Sequence, residues 1–277
     1  MDKREEHEKE WLRSAHPVEP TMREQVLASL KDIEARHDVR VLFACESGSR
    51  GWGFASPDSD YDVRFIYVHR LPWYLTVHPQ RDVIELPISG ELDVNGWDLR
   101  KALGLLAESN PTLIEWLRSP IVYREEAETM ARFRALATEQ FSNVRGWHHY
   151  ASMAKKNFRE HLRGETVRYK KYLYVLRPLL AARWIREHGS APPMRFAELA
   201  QHTLDAARDA ALIAEIDALL EVKMRAGEAA TSPRWVGIHA FIEVELERNA
   251  QEPVEAHPRP SMSGLDQFLR DTIQQRP

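Results

Sequence analysis

Two apolar runs, separated by a glycine turn and a pair of aspartates, limit this chain more than any other feature. VRVLFAC, residues 39–45, is apolar and partly β-branched, which predicts a buried strand. Gly48-Ser49-Arg50-Gly51 follows closely, and Asp60-Tyr61-Asp62 then opens a second apolar run that ends at Val68. The ten residues between Ser49 and Asp60 allow a short helix and a return strand beside the first, but not a full crossover helix. A dinucleotide-binding unit is excluded on that ground, and GSRGWG also fails the G-x-G-x-x-G pattern. A calcium loop is excluded too, since Val63 stands where that loop needs glycine and His69 where it needs glutamate.

Alternate residues of a strand share a face, so Asp60, Asp62 and Arg64 are expected on one side and Tyr61, Val63 and Phe65 on the other. Neighbouring carboxylates on one face repel unless a counter-charge joins them. One resolution is a divalent metal, for which oxygen-only ligands favour Mg²⁺ or Mn²⁺ over zinc. The other is a solvated turn, because Asp58, Ser59 and Asp60 are all turn formers. Gly48-Ser49 shifts the balance towards a bound phosphate: glycine lets the backbone approach an anion, and serine adds a hydroxyl donor at the opening of a short helix. Two-metal chemistry calls for a third acid to complete the site and take a proton from an attacking hydroxyl. Asp93, flanked by Leu92 and Val94 in an expected strand, ranks first; Asp98, equally explained by helix capping, ranks second; Glu85 ranks third.

Along the chain, residues 1–20 read as a polar arm. Thr21 with Glu24 reads as a capping box before Val26, Leu27, Leu30 and Ile33 at helical spacing. Short strands are expected near 83–86, 91–95 and 121–123, with Asp98 as the N-cap of LRKALGLLAESN. Past residue 125 the strand signals stop. Segments 126–140, 147–163, 166–188, 204–226 and 233–249 read as amphipathic helices, the last opened by Ser232-Pro233. A proline-rich linker and a helix from Ser263 follow. The expected organisation is an arm over 1–20, an α/β domain over 21–124, a helical domain over 125–250, and a linker with a terminal helix over 251–277. The fold class is α+β: a small mixed sheet followed by an all-α domain.

A formal net charge of -4 confines any polyanion site to a local patch. The basic concentration is Lys155, Lys156, Arg159, Arg163, Arg168, Lys170, Lys171 and Arg177. Lys170, Tyr174 and Arg177 fall at i, i+4 and i+7, a helix face suited to a triphosphate or an RNA backbone, with Tyr172 or Tyr174 able to stack on a base. His148, His149 and His161 lack metal-site spacing, and Trp52, Trp97, Trp116 and Trp147 read as packing residues. Cys45 alone forms no intrachain disulfide and is expected buried, in a reducing, cytoplasmic setting. The charged start MDKREEHEKEW is unlike a signal peptide, and no apolar stretch reaches the roughly 18 residues of a membrane span.

The pattern of apolar-Gly-Ser, Asp-apolar-Asp and a strand acid resembles the DNA polymerase beta nucleotidyltransferase superfamily. More narrowly, ACESGSRGWGFASPDSDYDVRFIYV, LDVNGWDLRKAL, SNPTLIEWLRSPIVY and KKYLYVLRPLLAARWI are similar to nucleotidyltransferases grouped with an RNA repair pathway, a resemblance covering roughly residues 39–190. Gly51 replaces the alanine common in the superfamily. The resemblance implies a polymerase beta-like domain that transfers NMP from an NTP to a hydroxyl, an RNA 3′ end being the favoured acceptor. It implies Gly48 and Ser49 as the nucleotide-holding pair and Asp60, Asp62 and Asp93 as carboxylates for Mg²⁺ or Mn²⁺, with Asp98 still competing for the third place. Arg50, Arg64 and Lys101 are weaker candidates to neutralise phosphate, and Lys170, Lys171, Tyr174 and Arg177 are candidates from the helical half. Two other readings are AMPylation of a protein or modification of a small molecule, and a nucleotide- or RNA-binding module without turnover.

Overall fold

A computed structural model describes residues 17–164, 166–225 and 231–275, so most of the polar arm lies outside the described residues. The chain forms two compact units, one holding Pro17–Gly51, Asp60–Phe141 and the residues from Pro258 onward, the other holding Trp52–Ser59 and Ser142–His257. In chain order the sheet unit contains α1 (Pro20–His37), β1 (Arg40–Glu46), α2 (Gly48–Trp52, which ends in the other unit), β2 (Tyr61–Val68), α3 (Leu71–Tyr74), β3 (Val83–Glu85), β4 (Leu92–Asp98), α4 (Leu99–Ala107), α5 (Pro111–Leu117), β5 (Val122–Glu125) and α6 (Ala127–Gln140). The helical unit follows with α7 (Asn143–His161), β6 (Thr166–Arg168), α8 (Tyr169–His188), α9 (Phe196–Thr203), α10 (Ala210–Arg225), β7 (Thr231–Pro233) and α11 (Val236–Gln251). The last helix, α12 (Ser263–Gln274), returns to the sheet unit.

The sheet is mixed, in the order β3-β4-β2-β1-β5, with β2 parallel to β4 and every other pair antiparallel. Both faces are covered, which is why β1 reads as an unbroken apolar run. Val63, Phe65 and Tyr67 pack with Val26, Leu30 and Ile33 of α1 in one layer. Ile66 and Val68 enter the opposite layer with Leu99, Leu103, Phe133 and Phe268. A register shift between Val41 and Phe43 lets Leu42 and Phe43 share one layer, while Val41 and Ala44 share the other. Cys45 is fully buried.

In the helical unit α8 is the central element: Leu173, Leu176, Leu179, Leu180 and Ile185 are fully buried. Its Arg183 and Arg186 reach Glu245 of α11 at 3.5 and 3.1 Å, so two cations and a buried acid tie these helices. No helix among the described residues is long and apolar enough to cross a membrane.

Three local expectations are corrected. Helix α1 begins at Pro20 with Glu19 as N-cap, and that cap makes no side-chain bond, so Thr21 lies inside the helix and no Thr21–Glu24 box opens it. Segment 204–226 is two elements, because the Asp205 carboxylate accepts from the N–H groups of Ala207 and Arg208 and holds a turn before α10. Residues 231–233 pair with 166–168 as a two-stranded ribbon, so Ser232-Pro233 opens no helix and α11 begins at Val236.

Candidate active site

Strand β1 delivers the chain to Gly48, whose φ is +56°, a conformation side-chain-bearing residues rarely adopt. A Cβ at this position would collide with the Asp62 carboxylate, so glycine is required by conformation and by space. The glycine turn and the first acid of β2 are therefore in direct apposition. The Asp62 backbone is clamped on both sides: Ser47 N–H donates to its carbonyl at 2.8 Å, and its own N–H donates to Glu46 Oε1 at 2.8 Å.

Glu46 is the functional-site residue that reading the sequence missed. It is fully buried at the end of β1 and also accepts from the Tyr123 hydroxyl at 2.5 Å. Burial pushes its carboxyl up to about 7, against the pull of those two hydrogen bonds. The only signal was an acid closing an apolar run just before the turn, and that reads equally well as a strand end.

Parallel pairing places Asp62 of β2 opposite Asp93 of β4. Arg64, two residues along β2 and on the same face, joins them: its guanidinium lies 2.9 Å from Asp62 Oδ1 and 2.7 Å from Asp93 Oδ2. All three side chains are partly open, Asp62 at 28%, Asp93 at 34% and Arg64 at 17% exposure. Two hard-oxygen groups thus converge on one cationic centre beside the Gly48 turn. Asp60, just before β2, is exposed and has no partner among the described residues. Ser49 is buried within α2, and the buried Arg50 lies over the Tyr61 ring at 3.8 Å. Among the described residues no three acid, histidine or cysteine side chains close into a metal-holding group. The donor set nevertheless suits a hard divalent cation, since Asp62 and Asp93 are oxygen donors already gathered around positive charge.

The other acids and Lys101 lie elsewhere. Asp98 is at the far end of β4, five residues from Asp93 and so roughly 16 Å along the strand. It caps α4 by accepting from Arg100 N–H at 2.8 Å, as its position before LRKALGLLAESN suggests, and it accepts from the Tyr74 hydroxyl at 2.7 Å. Burial pushes its carboxyl up to about 6. Lys101 pairs with Asp82 at 3.0 Å beyond the same end, and Glu85 pairs with Arg81 at 2.6 Å on the edge strand.

In the helical unit the expected shared face of Lys170, Tyr174 and Arg177 is not uniformly open. Arg177 is buried, donates through Nε and a terminal nitrogen to the Met194 carbonyl, and lies over the Trp52 ring at 4.6 Å. Tyr174 meets Trp52 edge-on at 5.6 Å. Lys171 Nζ is 3.2 Å from His161 Nε2, and Lys170 is half-buried. Tyr172 is fully buried, its hydroxyl accepting from Trp235 N–H, so its ring is unavailable to a base.

The model of the RlaP family, the RNA repair pathway DNA polymerase beta family, matches residues 22–271, and the chain belongs to that family. It is 44% identical over 256 residues to the uncharacterized protein YcgL of Bacillus subtilis (strain 168), covering 92% of this chain and 97% of that one. A solved structure of a nucleotidyltransferase-like protein from Exiguobacterium sibiricum 255-15 aligns at 14% identity and a TM-score of 0.31, over 91% of this chain and 75% of that one.

Proposed function

We propose that this chain is a cytoplasmic, metal-dependent nucleotidyltransferase that moves NMP from an NTP to the 3′ hydroxyl of an RNA. The observation that carries the reading is the apposition of Gly48 to Asp62, with Asp93 in register beside it. A phosphate-holding turn and a carboxylate pair at one place serve nucleotide transfer, and a plain structural turn needs neither.

Asp60, Asp62 and Asp93 would hold Mg²⁺ or Mn²⁺, which when bound supplies charge neutralisation on the phosphates and a more acidic acceptor hydroxyl. Gly48 and Ser49 hold the β and γ phosphates through backbone N–H groups and the serine hydroxyl. Asp93 takes the proton as the acceptor oxygen bonds to the α phosphorus; the α–β phosphoanhydride bond breaks and pyrophosphate leaves. Arg64 balances the acid pair before substrate arrives. Glu46 sets the position of Asp62 through its backbone N–H.

The test is incubation of the purified chain with Mg²⁺ or Mn²⁺, each labelled NTP, and RNA or protein acceptors. Label on RNA that disappears in Asp62→Asn supports the reading. Label on protein alone, or transfer unchanged in Asp62→Asn, overturns it.

A further inference from the structure

We propose that the outer face of α7, with the turn and strand that follow it, binds the phosphate backbone of single-stranded RNA. Residues 143–171 carry eight lysines and arginines against two glutamates, in a chain whose formal charge is -4. Lys155, Lys156, Arg159, Arg163 and Arg168 are all exposed, and among the described residues none has an acidic partner. Several exposed arginines elsewhere are paired with acids: Arg36 with Asp32, Arg70 with Asp38 and Arg81 with Glu85, each within 3.0 Å. Five exposed cations without an acidic partner among the described residues thus fall within positions 155–168.

Helix capping does not explain them. A C-terminal dipole favours cations in the last turn, which accounts for Arg159 alone. Lys155 and Lys156 come earlier, and Arg163 and Arg168 lie beyond the helix. Lys155 and Arg159 are four residues apart on one face, about 6 Å along the axis, with Lys156 beside them. Arg234 donates to the carbonyls of Gly164 and Arg163, holding this turn while adding its own charge. A membrane surface fits poorly: Trp147, Tyr150 and Ala154 of α7 are buried, and Val144, Met153 and Phe158 are partly buried. None of the large exposed hydrophobic residues that are described falls within 143–171. Charge without apolar anchors suits a phosphate backbone.

The inference rests on the RNA-acceptor reading for the identity of the polyanion, and its test is a binding measurement that needs neither NTP nor metal. Anisotropy of a short fluorescein-labelled single-stranded RNA, titrated with the full chain over a range of NaCl, should give a log–log salt slope of about -3.5 for five phosphate contacts. The triple variant Lys155→Gln/Arg159→Gln/Arg163→Gln should bind about ten- to a hundredfold more weakly, with a slope near about -1.4. Arg36→Gln/Arg208→Gln/Arg225→Gln removes the same charge elsewhere and should change binding little. Equal losses in the two variants, or RNA binding that neither alters, would overturn the assignment. So would salt-sensitive binding to phosphatidylserine vesicles without binding to RNA. If the natural chain binds RNA with this salt dependence but transfers no label, that result would count against the active-site reading alone.

Discussion

The two ends of β4 each carry an aspartate, and they do opposite things. At the start, Asp93 is partly open, faces Asp62 across a parallel pair and shares Arg64 with it. At the end, Asp98 is fully buried, caps α4 and accepts from Tyr74. Both are strand acids in sequence. The first keeps its charge accessible beside a glycine turn, and the second spends its hydrogen-bonding capacity inside the fold. A carboxylate with its acceptor sites satisfied by the protein has little left for a ligand.

The contrast breaks most visibly in activity. Asp93→Asn should lower metal-dependent transfer by about 10³-fold, roughly 4 kcal/mol of barrier, while Asp98→Asn stays within about threefold once folded protein is matched. Loss confined to Asp98→Asn would reverse the assignment of the third acid.

Stability against pH should show the reverse ranking. The folded-state value of Asp98 lies above its ordinary 3.8, at about 6. Its contribution is therefore fully present below about pH 3.8 and lost as pH rises through about 6, amounting to about 3 kcal/mol. Urea unfolding of the natural chain and Asp98→Asn from pH 4 to 7 should show that slope in the first and its loss in the second. At pH 5, Asp98→Ala should cost about 2 kcal/mol through the lost cap and the stranded Tyr74 hydroxyl, and Asp93→Ala less than about 1.

The smallest effect concerns Arg64. Arg64→Gln leaves Asp62 and Asp93 without their shared cation, which should cost about 1 kcal/mol in metal-free buffer. Added Mg²⁺ should then raise the Tm of the variant more than that of the natural chain. Equal shifts would argue that cation and guanidinium do not share the site.

Local pattern carried much of this far. The apolar run into Gly48, the same-face placement of Asp62 and Arg64, and Asp98 before a helix are all periodicity and capping, which act over a few residues. Glu46 was hidden because its importance lies in a hydrogen bond to Asp62, sixteen positions away, and another to Tyr123, further still. Arg177 read as a surface cation because helical spacing shows which residues share a face, and not what lies against that face. The break at Asp205 and the 166–168 ribbon were missed because turn bonding and long-range pairing override helical propensity.

By itself the sequence determined the strand–turn–strand order, the glycine at Gly48 and the presence of acids on β2 and β4. Only the tertiary structure decided which acid meets which. Parallel pairing sets Asp93 beside Asp62 and carries Asp98 to the other end of the sheet, and strand register is a property of two segments together.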